Sequence, residues 1–221
     1  MSTSVSGPGN WRSFLLVAAL AAGPAAPAWS AGVDAERLRA AAVQGDVKQI
    51  EAMGRGALPA LARLYTGSSE QERASIAYVF YSLGWKSPEA KRALMADVHT
   101  PNQTLRLQVQ WALGRVSDDA DVVDVLLENM QTDPVPLFRD KAACALAYDQ
   151  IHLAPAQKVR LFEGLIQALD DEKVQVRQIA LQALQILTGQ TKGFHPVAPP
   201  EARRRAVEEW KRWLAEYRAN L

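Results

Sequence analysis

The sequence predicts an all-α fold, an α-solenoid built from stacked helix hairpins with atypical helices at both ends. One observation is a pattern that recurs four times, in which an arginine is followed by apolar or small residues at +3, +6 and +7. These offsets lie on one stripe of a helix. The spacings between the four arginines are 33, 33 and 38 residues, and the arginines are Arg73, Arg106, Arg139 and Arg177. A fixed internal period of this size is typical of repeat architectures.

A second observation is a shorter amphipathic helix before each arginine helix. In the first repeat the two helices are predicted over residues 57–65 and 70–83. Ser87-Pro88-Glu89 combines an N-cap, a first-turn proline and a first-turn acid, so a helix is expected from there to about Val98. Asp118 or Asp119 opens the corresponding helix of the third repeat, and Pro155 opens that of the fourth. Each unit is therefore a helix hairpin, and stacked hairpins form a solenoid.

One copy departs from the pattern at its end. The buried stripe continues at +10 with Leu83, Val116 and Leu187, but the third copy has Asp149 at this position. The stripe therefore continues to +10 in three of the four copies.

The last copy carries a family resemblance in Asp170-Asp171, Val176-Arg177, Ala180 and Ala183-Leu184. It resembles the HEAT-like repeats, in particular the short bilin-lyase type, and the resemblance covers about residues 57–187. It implies a right-handed α-solenoid whose second helices line the concave side. Tetratricopeptide and ankyrin repeats match the period better, but their sequence signatures are absent. The turn 187–190, the loop around Phe194 and the helix carrying Trp210 resemble the ending of many bacterial HEAT-repeat proteins.

The chain divides into four segments. Residues 1–30 are predicted to be a signal peptide, because an apolar run over 13–23 follows Arg12 and small residues precede plausible cleavage positions after Ala28 or Ser30. Residues 31–56 are interpreted as N-terminal capping helices, 57–188 as four HEAT-like repeats, and 189–221 as a loop and a C-terminal capping helix. The expected location is periplasmic or secreted. Membrane contact is expected only through an uncleaved signal segment.

Composition argues against several classes of function. Without residues 1–30 the chain has 24 basic and 24 acidic side chains, so a nucleic-acid partner held by phosphate neutralisation is not expected. Cys144 is the only cysteine, which excludes an internal disulfide and a cysteine metal cluster. His99, His152 and His195 are far apart in sequence and lack metal-ligand spacing. No catalytic residue, metal or cofactor is predicted.

A candidate binding surface comes from the outward positions of the second helices. At +5 the four copies carry Tyr78, Trp111, Cys144 and Gln182, and at +8 they carry Tyr81, Gly114, Ala147 and Gln185. Aromatic residues at equivalent positions of adjacent repeats suggest a binding hot spot; the alternative is that Tyr78 and Trp111 pack between helices. The predicted partner-binding residues are Tyr78, Tyr81, Trp111, Gln182 and Gln185.

These features predict an exported HEAT-repeat scaffold or adaptor that binds a protein of the cell envelope through its concave face, without catalysis. The alternative is a lyase- or chaperone-like repeat protein that acts on a small ligand or a client protein. Acids at 118–124 form a second candidate docking patch, although acids at a helix N-terminus are also expected on electrostatic grounds.

Overall fold

The computed structural model describes residues 34–150 and 153–221, and the regular structure in these residues is helical. The predicted signal peptide lies outside the described residues. Eleven α-helices are described: α1 Ala35–Gln44, α2 Val47–Met53, α3 Leu58–Thr66, α4 Glu70–Leu83, α5 Pro88–Met95, α6 Gln103–Val116, α7 Ala120–Thr132, α8 Pro136–Cys144, α9 Pro155–Ala168, α10 Val174–Thr188 and α11 Pro200–Ala219. A 3-10 turn, Arg55–Ala57, precedes α3, and a π-helical turn, Ala145–Asp149, continues α8.

The helices form two layers. The first helices of the hairpins are α3, α5, α7 and α9, and the second helices are α4, α6, α8 and α10. Along the second layer, α4 packs on α6, α6 on α8 and α8 on α10, while α3 packs on α5 and α7 on α9 in the first layer. Each hairpin thus buries its apolar stripe against its neighbours, as in a solenoid. The predicted α-solenoid is confirmed.

Helix starts follow the local sequence. The side chains of Ser69, Ser87 and Asn102 accept hydrogen bonds from the backbone N–H groups of Glu72, Ala90 and Leu105, respectively. Such caps contribute about 1 kcal/mol each. Asp119 occupies the N-cap position of α7, but its carboxylate accepts a hydrogen bond from Lys91 of the preceding repeat at 2.6 Å. Its side chain therefore joins two repeats.

The first two repeat arginines bind acids of the next repeat. Arg73 Nη1 donates to both carboxylate oxygens of Asp97 at 2.8 Å, and the Tyr65 hydroxyl donates to the same carboxylate at 2.6 Å. Arg106 pairs through Nη2 with one carboxylate oxygen of Asp133, whose side chain is fully buried. The pattern arginines of these repeats therefore hold successive turns together.

The last two arginines bind mainly carbonyl oxygens. Arg139 donates to the carbonyl of Asp133 at 2.6 Å and to the Gln175 side chain of the next repeat at 2.5 Å. Arg177 donates to the carbonyl of Asp171 at 2.6 Å and to that of Pro196 at 2.9 Å. The last arginine thereby attaches the C-terminal loop to the array.

The π-helical turn explains the departure at Asp149. A π turn adds one residue to a helical turn, so the residues after it are shifted by one position. Gln150 is consequently fully buried at +11, and its Nε2 donates to the carbonyls of Gly114 and Ser117 at 2.6 and 3.0 Å. In the third repeat, the buried stripe thus ends with the amide of Gln150, which caps the C-terminal end of α6.

The two ends of the array are covered differently. At the N-terminal end, α1 packs on both α3 and α4. At the C-terminal end, α11 packs on α9: Trp210 is fully buried, and the rings of Trp213 and Tyr217 meet the Phe162 ring edge-on at 5.0 and 5.3 Å. Phe194 of the loop is also buried.

Candidate functional site

The outward side of α4, α6, α8 and α10, together with the π-helical turn, is called the second-helix face below. It carries all five residues that the sequence predicted for partner binding. Tyr78 and Tyr81 lie on α4, Trp111 on α6, and Gln182 and Gln185 on α10. The structure divides them among three places on this face.

Tyr78 is the most exposed of the three predicted aromatic residues, with 43% of its surface accessible. Its ring lies beside Gly45 in the turn between α1 and α2, where a Cβ atom would be 3.7 Å from Tyr78 Cδ1. Together with α6, these elements enclose a groove of about 560 Å³, called the Tyr78 groove. Its polar lining consists of Gln44, Gln71, Ser75, Asn102, Thr104 and Gln108.

Trp111 contacts Tyr81, the +8 residue of the preceding repeat. Their ring centroids are 5.6 Å apart, and both side chains are half-buried. The guanidinium of Arg115 lies over the ring of Tyr81, 5.0 Å from its centroid. Tyr81 and Trp111 therefore contribute to packing between α4 and α6. For Trp111 this is the alternative interpretation given above. Part of each side chain remains exposed on the second-helix face.

Gln182 and Gln185 are exposed on α10. Gln182 lines a narrow crevice between α10 and the end of α8, together with Cys144 and Tyr148. The Tyr78 groove involves α4 and α6, whereas this crevice involves α8 and α10. The predicted residues thus share one face but do not converge on a single pocket.

Sequence reasoning missed Tyr148. It is 57% exposed and lies beside Gln182 in the crevice. The π-helical turn moves it to the position that Tyr81 occupies in the first repeat, because everything after the inserted residue is shifted by one. The available signal was Asp149, whose charge at a normally apolar offset indicated a change of register.

The second-helix face carries one cysteine, Cys144, whose thiol is not activated. Burial, and then the nearby carboxylate of Asp140, raises the pKa of the Cys144 thiol above its ordinary value. A thiolate is the nucleophilic form, so Cys144 is poorly suited to covalent chemistry.

The histidines do not form a metal site among the described residues. His99 and His195 are exposed, and His152 lies outside the described residues. Within residues 34–150 and 153–221, no three histidine, cysteine or acidic side chains are grouped to hold a metal ion.

The acids at 118–124 are largely neutralised by bases from neighbouring repeats. Lys86 binds Asp118 at 2.5 Å, and Lys91 binds Asp119 and Asp121 at 2.6 and 2.7 Å. Arg160 of α9 pairs with Asp124. The hydrogen bond from Lys91 lowers the pKa of Asp119. These pairs join repeats and leave little net charge for an external partner.

None of the described helices has the length and apolar character needed to span a membrane.

Comparisons with known proteins agree with this architecture. A family model described as HEAT repeats matches residues 58–147, from the start of α3 into the π-helical turn. The fourth repeat, whose sequence most resembles the HEAT pattern, lies outside the matched residues. A search of curated proteins finds no match.

Among solved structures, the chain is similar to a designed armadillo repeat protein in complex with the peptide (KR)4. The TM-score is 0.52 at 17% sequence identity, and the match covers 80% of each chain. At this identity the similarity concerns the fold. Residues 58–147 therefore resemble HEAT repeats in sequence, and the chain shares the helical-repeat fold of an armadillo solenoid.

Proposed function

We propose that this protein is a non-catalytic scaffold or adaptor that binds a segment of a protein partner on its second-helix face. The observation that carries the proposal is the exposed ring of Tyr78 at the edge of the Tyr78 groove. Tyrosine offers a large, rigid contact area at low entropic cost and is frequent at binding hot spots. A second exposed tyrosine, Tyr148, lies further along the same face.

The fold supports this proposal. Solenoids present extended surfaces formed by successive repeats, which suits a partner segment that runs along the array. The designed armadillo protein with a similar fold is in complex with a peptide. Successive repeats are held together by the ion pairs Arg73–Asp97 and Arg106–Asp133, so the surface is preorganised for binding.

We further propose that the partner lies in the cell envelope and that the protein is exported. This part rests on the apolar segment near the N-terminus and the small residues that follow it. Its test is cell fractionation followed by intact-mass measurement. Loss of 28 or 30 residues, ending at Ala28 or Ser30, is the expected result, whereas an intact chain in the cytoplasm would contradict export.

The lyase- or chaperone-like alternative gains no support from the Tyr78 groove. Acid–base catalysis on a small ligand needs a positioned proton donor and acceptor with suitable pKa values. The groove is lined by amides, hydroxyls, small residues and one tyrosine. Binding is the chemistry that this lining suits best.

The binding surface can be tested by site-specific photo-crosslinking in the source cell. A photoreactive amino acid replaces Tyr78, Tyr148 or Gln182 in the full chain, and exposed positions on the first helices, Arg92 and Glu128, serve as controls. We expect one partner to be crosslinked from the second-helix face and not from the controls.

Crosslinking of the same partner from Arg92 or Glu128 alone would move the binding surface to the first-helix layer. Absence of crosslinks from every position, with the protein folded and present at normal levels, would contradict the scaffold function.

A further inference from the structure

The lining of the Tyr78 groove is polar but uncharged. Besides Tyr78, six of its side chains carry an amide or a hydroxyl, and none of the residues lining it is Asp, Glu, Lys, Arg or His. A side-chain amide offers donors and an acceptor at once, and a hydroxyl offers one donor and accepts as well. Such a lining matches the alternating N–H and C=O groups of an extended peptide backbone.

The arginines of the flanking helices do not supply charge to this groove. The guanidinium of Arg73 is bound to Asp97, and that of Arg106 to Asp133. Both arginines are thus engaged with the turns of the next repeat. The carboxylate bonded directly to the groove lining is that of Glu70, which accepts from Asn102 Nδ2 at 2.9 Å.

One amide of the lining has unused hydrogen-bonding capacity. Gln108 Oε1 is excluded from solvent and has no hydrogen-bond partner among the described residues. A buried acceptor without a partner is unfavourable, because the group has lost its hydration and gained no hydrogen bond in return. Turning this amide toward a peptide N–H in the groove would recover that loss.

We infer that the Tyr78 groove accepts an uncharged, extended segment of the partner, whose main chain bonds to the amides and whose apolar or aromatic side chain packs on Tyr78. This inference rests on the proposed function and deepens it by naming the class of segment. A charged segment would lose hydration in the groove without gaining a counter-charge from the residues that line it. Recognition should therefore depend little on ionic strength, because screening acts on charges.

The test is selection of peptides from a random phage-displayed library on the immobilised full chain, followed by fluorescence anisotropy with the synthesised peptides. The (KR)4 peptide serves as a cationic probe. We expect selected peptides to be poor in charged residues and their affinities to change less than about twofold between low and high salt. We expect (KR)4 to bind at least about tenfold more weakly than the selected peptides.

Two variants locate the site. Tyr78→Ala should weaken the selected peptides by about tenfold, the loss typical of an interface hot spot. Gln108→Leu removes the amide at similar size and should weaken them by about fivefold. Gln178→Ala, an exposed amide of α10 away from the groove, is the matched control and should leave affinity unchanged. Circular dichroism verifies that each variant is folded.

The outcomes separate the two proposals. If the selected peptides are charged and bind with strong salt dependence, or if (KR)4 binds more tightly, the inference of an uncharged ligand is wrong. The proposed scaffold function is not contradicted by that result. The inference is also wrong if Tyr78→Ala leaves the affinity of the selected peptides unchanged and Tyr148→Ala abolishes their binding. Their site would then be the crevice beside α10. Failure to select any peptide above background would overturn both.

Discussion

At the scale of single residues, the buried carboxylate of Asp97 joins two neighbouring repeats. Its side chain receives the Tyr65 hydroxyl and both contacts of Arg73, so a charge that would be costly alone is fully compensated. Burial, followed by the hydrogen bond to Asp97, raises the pKa of Tyr65. Tyr65 lies near the end of α3, and its sequence position does not reveal this hydrogen bond.

Replacement of Tyr65 by phenylalanine should lower the free energy of unfolding by about 1.5–3 kcal/mol, the usual contribution of a hydrogen bond to a charged group. Urea denaturation measures the change. Tyr78→Phe is the control, because that ring is exposed, and its effect should stay within about 0.5 kcal/mol. Equal effects of the two substitutions would show that the Tyr65 hydroxyl does not stabilise Asp97.

The same pair of variants makes a pH prediction. The folded protein retains the Tyr65 proton above pH 10.0, the ordinary pKa of tyrosine, while the unfolded chain releases it. The stability contributed by this hydroxyl is therefore fully present below that pH and is lost as the pH rises above it. The difference in unfolding free energy between wild type and Tyr65→Phe should shrink above pH 10.0; a constant difference would contradict the raised pKa.

At the scale of helices, a glycine decides how closely two helices of the first layer pack. Gly164 of α9 faces Leu127 of α7, and a Cβ atom at Gly164 would be 2.5 Å from Leu127 Cδ1 and 2.7 Å from Cδ2. Leu127 is itself buried, so its side chain has little room to move. The contact between the first helices of the third and fourth repeats thus depends on the absence of a side chain at Gly164.

The substitution Gly164→Ala has two opposing effects on the free energy of unfolding. Alanine favours the helix by about 1 kcal/mol, whereas overpacking a buried contact costs about 1–3 kcal/mol. We expect a net loss of about 1 kcal/mol in the wild-type background and a net gain in a Leu127→Ala background, where the clash is absent. Chemical denaturation of the four proteins in this double-mutant cycle measures both values. The same sign in both backgrounds would rule out the steric explanation.

At the scale of the whole molecule, stability comes from contacts between neighbouring units, so the terminal units require covers. The C-terminal cover is fixed at two points. The aromatic residues of α11 pack on Phe162 of α9, and Arg177 of α10 binds the carbonyl of Pro196 in the loop. These contacts couple the last helix to both layers of the array.

Trp210→Ala should therefore destabilise the entire protein by about 3–5 kcal/mol, because Trp210 is fully buried. We expect thermal unfolding to remain a single transition at a lower temperature, measured by circular dichroism. Leu137→Ala, at a position that is 48% exposed in α8, is the control and should change little. A separate low-temperature transition, with the main transition unchanged, would show that α11 folds independently of the repeats.

The sequence by itself determined the repeat, because apolar periodicity and arginine phase depend only on the order of residues along each helix. It placed Glu70–Leu83 correctly. It also identified the face on which Tyr78 and Gln182 lie, since helical offsets fix direction.

The tertiary structure alone decided which of these residues meet. Trp111 contacts Tyr81 rather than forming a pair with Tyr78, because the offset between adjacent helices depends on how they pack. The π-helical turn exposes Tyr148 and buries Gln150, a change of register by one residue that periodicity cannot locate. The Tyr78 groove also requires the turn at Gly45, which is distant in sequence from α6, and such contacts arise only when the layers assemble.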